Sequence, residues 1–110
     1  MTLNKIKEYQ KNFDLKYKGN IEFYEEITSD NIEVLEHLIV CMLGEFGEFS
    51  NIVKKIKRGD FNLFDKKDEL NEEFIDIFIY MIKISNQLGI NIEEAYLKKM
   101  KKMKKNLRNF

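Results

Sequence analysis

The chain has no proline and no tryptophan, and its 110 residues include only five glycines, one cysteine and one histidine. Tight turns depend mainly on glycine and proline, so their scarcity argues against a β-sandwich or barrel and favours helices. The lone Cys41 cannot form a disulfide within the chain, which is typical of a reducing compartment. Because there is neither an apolar signal sequence at the start nor an apolar run of the roughly 20 residues that span a bilayer, we expect a cytoplasmic protein without a membrane partner.

The charge balance, the hydrophobic content and the length exclude further classes of protein. Nineteen Lys and Arg residues equal 19 Asp and Glu residues, so no net charge attracts the chain to nucleic acid, and we do not expect a nucleic-acid partner. With 44% hydrophobic residues the chain is too apolar for intrinsic disorder. Its length is that of one compact domain, so residues 1–110 are predicted to form a single domain.

Apolar residues recur at helical spacing in four segments, which predicts helices at about 3–17, 30–58, 66–88 and 91–106. A fifth segment, residues 21–27, is either a short helix or a turn. The second and third helices are long and their connection is short, so they should pack as an antiparallel pair. We therefore predict an all-α bundle of four to five helices around this central pair.

Polar and small residues mark the helix ends. Asp30, with Glu33 three residues later, forms the pattern of a capping box at the start of the second helix. Gly59 and Gly89 are expected to end the second and third helices, since glycine readily adopts the left-handed conformation found there. Asn91 is the expected N-cap of the fourth helix.

Four acidic residues interrupt the apolar faces of the central pair. Glu45 and Glu48 lie three apart on one helix, and Glu73 and Asp76 lie three apart on the next, so each pair projects from one face. Antiparallel packing would bring the four carboxylates together, and their repulsion would need compensation by protons or cations. Two divalent ions would balance four charges, and ligands that are all oxygen favour Mg²⁺ or Mn²⁺.

The same residues also have other interpretations. Glu-x-x-Glu pairs are common on solvated helix faces, and Asp76 alone could be a core acid paired with a lysine. Non-haem iron is disfavoured, because di-iron bundles use Glu-x-x-His motifs and the only histidine, His37, lies outside one. We expect His37 on the surface or at a subunit interface, and Cys41 in the core without a histidine placed to activate it.

Lysines near the end of the second helix and along the last helix suit a polyphosphate ligand. In such a site, metals bridge phosphate oxygens while ammonium groups neutralise the remaining charge. Lys54 and Lys55 follow Glu48, and the last helix is rich in lysine. Cations at a helix C-terminus also favour the helix dipole, so only one or two of these lysines are expected at the site. The last helix is otherwise an amphipathic packing element with the apolar stripe Tyr96, Met100, Met103 and Leu107.

Three segments together resemble the MazG-like all-α nucleotide pyrophosphohydrolases, over about residues 35–107. They are Leu43-Gly-Glu-Phe-Gly-Glu-Phe-Ser-Asn-Ile-Val-Lys-Lys, Glu72-Glu-Phe-Ile-Asp-Ile-Phe-Ile-Tyr and Leu88-Gly-Ile-Asn-Ile-Glu-Glu-Ala. The resemblance implies a Mg²⁺-dependent enzyme that hydrolyses a nucleoside triphosphate to the monophosphate and pyrophosphate. It also implies that the metal is held by Glu45, Glu48, Glu73 and Asp76, with Glu45 or Glu48 helping to position the attacking water.

The same resemblance implies substrate contacts and an assembly. The residues that would reach the nucleotide are Lys54 or Lys55, Tyr80, Lys102, Lys105 and Asn106. A homodimer or a dimer of dimers with shared sites is implied as well. The sequence agrees, because residues 74–82 are apolar on nearly every side and need more cover than one small chain provides.

Three questions stay open at this point. Phosphoribosyl-ATP pyrophosphohydrolases share the fold, but they tend to carry a histidine where this chain has Met81. A non-catalytic helical module whose basic last helix binds a partner or nucleic acid is a second alternative, which leaves the buried acids unexplained. The sequence also does not decide whether Glu69 or Glu72 joins the site.

Overall fold

A computed structural model of the chain describes residues 1–17 and 24–108. Its described part contains four helices, and no strand: α1 (Leu3–Lys16), α2 (Ile32–Arg58), α3 (Lys67–Leu88) and α4 (Ile92–Arg108). Single 3₁₀ turns at Ser29–Asn31 and Phe64–Lys66 precede α2 and α3. The predicted all-α bundle is confirmed. Of the ambiguous segment 21–27, residues 21–23 lie outside the described residues, and 24–27 form no helix.

Three of the helix ends are those expected from the sequence. Gly59 and Gly89 have φ angles of 92° and 72°, so both take the left-handed conformation that ends α2 and α3. Asn91 caps α4, since its Oδ1 accepts a hydrogen bond from the backbone N–H of Glu94 at 3.1 Å.

The predicted start of α2 was wrong. The capping box is formed by Thr28 and Asn31, and not by Asp30 and Glu33. The backbone N–H of Thr28 donates to Asn31 Oδ1 at 2.6 Å. The reason is the 3₁₀ turn that precedes Ile32: it places the polar cap before Asp30, so the first turn begins earlier than the apolar pattern indicates.

Helices α2 and α3 make the most extensive contact between elements. The ring centroids of Phe49 and Phe74 are 6.5 Å apart, and nearer the start of α2 a carboxylate oxygen of Glu45 lies close to one of Asp76. Residue numbers thus rise along α2 as they fall along α3, which is the antiparallel pairing that was predicted.

Helix α1 packs across the end of α3, and α4 begins beside α1. The side-chain amide of Asn86 donates to the carbonyl oxygen of Lys7 at 2.9 Å. The ammonium of Lys7 in turn donates to the carbonyl of Ile90, in the connection that leads to α4. Asn4 donates to Glu93 at 3.4 Å on the first turn of α4.

The apolar core of a single chain is small. Among the described residues only Leu38 and Ile82 are buried apolar side chains, whereas Phe74 is 60% exposed, and Ile75 and Met81 are each 50% exposed. The apolar run of α3 is therefore not covered on every side by its own chain. None of the described helices is long and apolar enough to cross a membrane.

Candidate metal centre

Three of the predicted acids meet where α2 crosses α3. Glu45 on α2 and Glu73 and Asp76 on α3 each offer a carboxylate oxygen, and these atoms all lie within 4.8 Å of one another. The three residues are half-buried. The arrangement follows from helix geometry, because Glu73 and Asp76 are nearly one turn apart on the α3 face that packs against α2.

Glu48 belongs to the same group although its side chain is exposed. Its carboxyl lies within hydrogen-bonding reach of those of Glu45 and Glu73, a contact that requires one of the groups to carry a proton. It is not among the three residues whose oxygens lie within 4.8 Å. All four predicted acids are thus brought together, and Glu45, Glu48, Glu73 and Asp76 are called the acidic cluster below.

The carboxylates of the cluster repel one another, and this repulsion contributes to raised pKa values of two of them. The pKa of Glu73 is raised to about 7, first by the hydrogen bond with Glu48 and then by burial and the Glu48 charge. The pKa of Glu45 is also raised, by burial first and then by the charges of Glu48 and Asp76. Glu73 is therefore protonated below about pH 7, as expected for carboxylates that lie close together without a counter-charge.

Within residues 1–17 and 24–108, no ion pair includes the acidic cluster. The ion pairs are Arg58–Asp60, Lys66–Glu69 and Lys83–Asp14. One oxygen of Glu73, Oε2, is buried and accepts no hydrogen bond. A buried acceptor without a donor, in a group of hard oxygen ligands, fits a divalent cation such as Mg²⁺. The residues present therefore fit the predicted metal.

A cavity of about 450 Å³ opens beside the cluster, a size within the usual range for small-molecule sites. It lies between α1, α2 and α3, and the cluster residues Glu45 on α2 and Asp76 on α3 form part of its wall. Its lining residues are Tyr9, Gln10, Phe13, Glu45, Asp76, Ile79, Tyr80 and Lys83. The contribution of α1, through Tyr9, Gln10 and Phe13, was not predicted from the sequence. Two aromatic residues four apart were the available signal.

Lys83, on the wall of this cavity, belongs to an ion pair that was also not predicted from the sequence. Asp14 is fully buried, and its Oδ1 lies 3.2 Å from the ammonium of Lys83. The side-chain amide of Gln10 donates to the same oxygen at 3.0 Å. The other oxygen, Oδ2, is buried without a hydrogen-bond partner. The pair ties α1 to α3 next to the acidic cluster.

Tyr80, a predicted substrate-binding residue, lies on the cavity wall. Burial raises the pKa of its hydroxyl, and neighbouring Cys41, Glu45 and Asp76 raise it further. The expectation of Cys41 in the core without a histidine placed to activate it was wrong, because Cys41 is half-buried and Nε2 of exposed His37 is 3.6 Å from its Sγ. Their spacing of four residues on one helix was enough to predict this contact.

The remaining predicted substrate residues are not brought to the cluster by the contacts described for their own chain. Lys54 is exposed and Lys55 half-buried, both beyond Glu48 on α2. Lys102, Lys105 and Asn106 are exposed on α4, whose principal helix contact is with α1. Their role at the site stays a prediction.

The described part of the chain is a helical bundle with carboxylates gathered between two antiparallel helices, which defines the class of all-α proteins with an acidic site between helices. Within that class, the family model of the MazG nucleotide pyrophosphohydrolase domain matches residues 33–109, which include the whole acidic cluster. The chain belongs to the MazG nucleotide pyrophosphohydrolase family. It is similar to the Gene 37 protein of Mycobacterium phage L5, with 30% identity over 76 residues that make up 67% of this chain and 67% of that protein. No solved structure matches the chain.

Proposed function

We propose that the protein hydrolyses a nucleoside triphosphate, of ribose or deoxyribose type, to the nucleoside monophosphate and pyrophosphate with the help of bound Mg²⁺. The observation that carries this proposal is the acidic cluster, in which four carboxylates converge, with no lysine or arginine paired to them among the described residues, in a member of the MazG family. Mn²⁺ would satisfy the same oxygen ligands.

Glu45, Glu48, Glu73 and Asp76 are the residues that would hold the metal. When bound, such a metal supplies charge stabilisation of phosphate oxygens and lowers the pKa of water. The chain itself would supply the base: a carboxylate oxygen of Glu45 or Glu48 accepts a proton from the attacking water. The water oxygen bonds to phosphorus, the anhydride bond between the α- and β-phosphates breaks, and pyrophosphate leaves.

The nucleoside would occupy the cavity beside the cluster. Tyr9 and Phe13 from α1 and Tyr80 from α3 offer aromatic faces there, and aromatic side chains stack well on planar bases. The triphosphate would then extend toward the metal ligands. Lys54 or Lys55 would neutralise part of its charge.

We further propose that the working protein is a homodimer or a dimer of dimers. Exposed Phe74, Ile75 and Met81 support this, since large apolar areas seldom stay in contact with water. A second subunit is also the route by which Lys102, Lys105 and Asn106 on an exposed α4 would reach the phosphates. Residues 1–110 would then act as one domain in each subunit.

A pyrophosphate-release assay tests the proposed reaction. Wild-type protein with Mg²⁺ and a panel of nucleoside triphosphates is expected to release pyrophosphate and no orthophosphate. Glu48→Gln and Asp76→Asn should remain folded and lose this activity, whereas Glu8→Gln, a matched change at an exposed glutamate of α1, should keep it. Release of orthophosphate, or wild-type turnover by Asp76→Asn, would contradict the assignment.

A further inference from the structure

His37 and Cys41 form a pair of metal-ligating side chains on α2 that the proposed reaction does not use. They lie four residues apart, so their side chains project from one face of the helix on successive turns. Nε2 of His37 is 3.6 Å from Sγ of Cys41. His37 is exposed and Cys41 is half-buried, so an ion from solution can reach both ligand atoms.

The separation of the two atoms is the one that a tetrahedral zinc ion requires. Zinc bonds of about 2.3 Å to sulfur and about 2.0–2.1 Å to nitrogen, at a tetrahedral angle, put the two ligand atoms about 3.5–3.6 Å apart. The pair therefore already has the separation of two ligands of one ion. A hydrogen bond between the thiol and the imidazole has a similar length, so the question is whether a cation can replace the shared proton.

The chemistry of this pair differs from that of the acidic cluster. Thiolate and imidazole are softer ligands that favour Zn²⁺, whereas carboxylates suit Mg²⁺ or Mn²⁺. Glu45 of the acidic cluster lies four residues beyond Cys41, so the pair and the cluster are neighbours on α2. The hydroxyl of Tyr80 lies within hydrogen-bonding reach of the Cys41 thiol, and Tyr80 is part of the cavity wall. The pair is thus next to the cavity proposed for the nucleoside.

We propose that Nε2 of His37 and Sγ of Cys41 bind a thiophilic divalent cation such as Zn²⁺, at a site separate from the acidic cluster. On binding, the thiol loses its proton to solvent, and the thiolate and the neutral imidazole each donate an electron pair to the ion. In the described part of the chain no third Asp, Glu, His or Cys joins the pair in one group, so water completes the coordination. Structural zinc sites have four protein ligands, so a site with two is exchangeable and the protein folds without the ion. The inference does not depend on the enzymatic assignment.

Titration of Co²⁺ into the metal-free protein tests this site, because cobalt takes the place of zinc and a cobalt–thiolate bond absorbs in the near ultraviolet. Cys41 is the only cysteine in the chain, so this absorption can come from no other residue. Wild type, kept reduced with a phosphine, should develop the band. Zn²⁺ should abolish the band by displacing cobalt, whereas about a hundredfold excess of Mg²⁺ should not.

Three variants separate this site from the acidic cluster and from a simple hydrogen bond. Cys41→Ser should abolish the band. His37→Gln should weaken Co²⁺ binding about tenfold or more, because losing a ligand costs at least as much as losing a group that orients one. Asp76→Asn, which removes a carboxylate of the acidic cluster, is the matched control and should keep the band.

Circular dichroism verifies that each protein is folded before the titrations are compared. No band in reduced, folded wild type would mean that the pair is a hydrogen bond only. Unchanged Co²⁺ affinity in His37→Gln would remove the imidazole from the site, and loss of the band in folded Asp76→Asn would assign the ion to the acidic cluster. Each of these three results would overturn the proposed site and leave the test of pyrophosphate release unaffected.

Discussion

Carboxylates are buried or half-buried at two neighbouring places in this molecule, Asp14 and the acidic cluster, and the two places differ in their counter-charges. Asp14 is fully buried and has its own counter-charge, the ammonium of Lys83 at 3.2 Å. The acidic cluster has no such partner among the described ion pairs, and Glu73 responds with a pKa of about 7. The difference indicates two roles. Asp14 joins two helices and is neutralised by a lysine of its own chain. The carboxylates of the acidic cluster repel one another and are suited to bind a cation from solution.

The largest expected effect concerns the compensated site. Lys83→Met should lower the free energy of unfolding by about 3–5 kcal/mol, because Asp14 would remain buried without its charge partner. The measurement is equilibrium denaturation in urea. The double variant Asp14→Leu with Lys83→Met is the control, and it should recover most of the loss since neither charge remains. A loss below about 1 kcal/mol in the single variant would show that the pair does not tie α1 to α3.

The same kind of change at the uncompensated site should act in the opposite direction on stability. Asp76→Asn removes a like charge from the cluster, so the metal-free protein should gain about 0.5–1 kcal/mol. Pyrophosphate release should fall on the order of a hundredfold or more, as for the loss of one electrostatic stabiliser. Denaturation and kinetics on one preparation give both numbers. If metal-free Asp76→Asn is less stable than wild type, the proposed repulsion is absent.

Divalent metal should stabilise only a protein with an intact cluster. Mg²⁺ at about 100 times its dissociation constant should add about 2.7 kcal/mol, and hence raise the melting temperature of wild type by several degrees. Asp76→Asn should show little change, whereas Lys83→Met, starting from a lower temperature, should keep a positive shift. Thermal melts with and without Mg²⁺ check this, and equal shifts in wild type and Asp76→Asn would place the metal elsewhere.

The last expected effect is a pH dependence of the stability of the metal-free protein. Because the folded-state pKa of Glu73 is about 7 and its ordinary value is 4.5, the folded state binds more protons than the unfolded state between these values. The contribution of Glu73 to stability is therefore present below about pH 4.5 and is lost as the pH rises through 7. Denaturation of wild type and Glu73→Gln across this range should show the difference, and parallel curves would mean that Glu73 titrates normally.

Much of the fold and of the acidic cluster could be predicted from the sequence, because both depend on local periodicity. Gly59 and Gly89 end helices through a conformation that few other residues adopt, and the acids stand out because they interrupt apolar faces. Antiparallel packing of two long helices with a short connection then brings these acids together. The spacing of four residues on one helix was also sufficient to predict the contact of His37 with Cys41.

The rest depends on contacts between distant residues or on details below the helical period. Asp14 and Lys83 are 69 positions apart, and nothing beside either residue in the sequence marks it as half of an ion pair. The cavity wall from α1 depends in the same way on how that helix crosses α3. The cap at Thr28 was missed because a 3₁₀ turn does not follow the period used to find helices.

Calorimetric titration of Mn²⁺ into the metal-free protein near pH 7, in two buffers of different ionisation enthalpy, tests the central claim most directly. Metal that enters the acidic cluster must displace the proton held there, so wild type should bind Mn²⁺ with release of protons. Asp76→Asn should bind at least about tenfold more weakly. Binding by Asp76→Asn as tight as by wild type, or no binding by folded wild type, would contradict a metal centre built from these four acids.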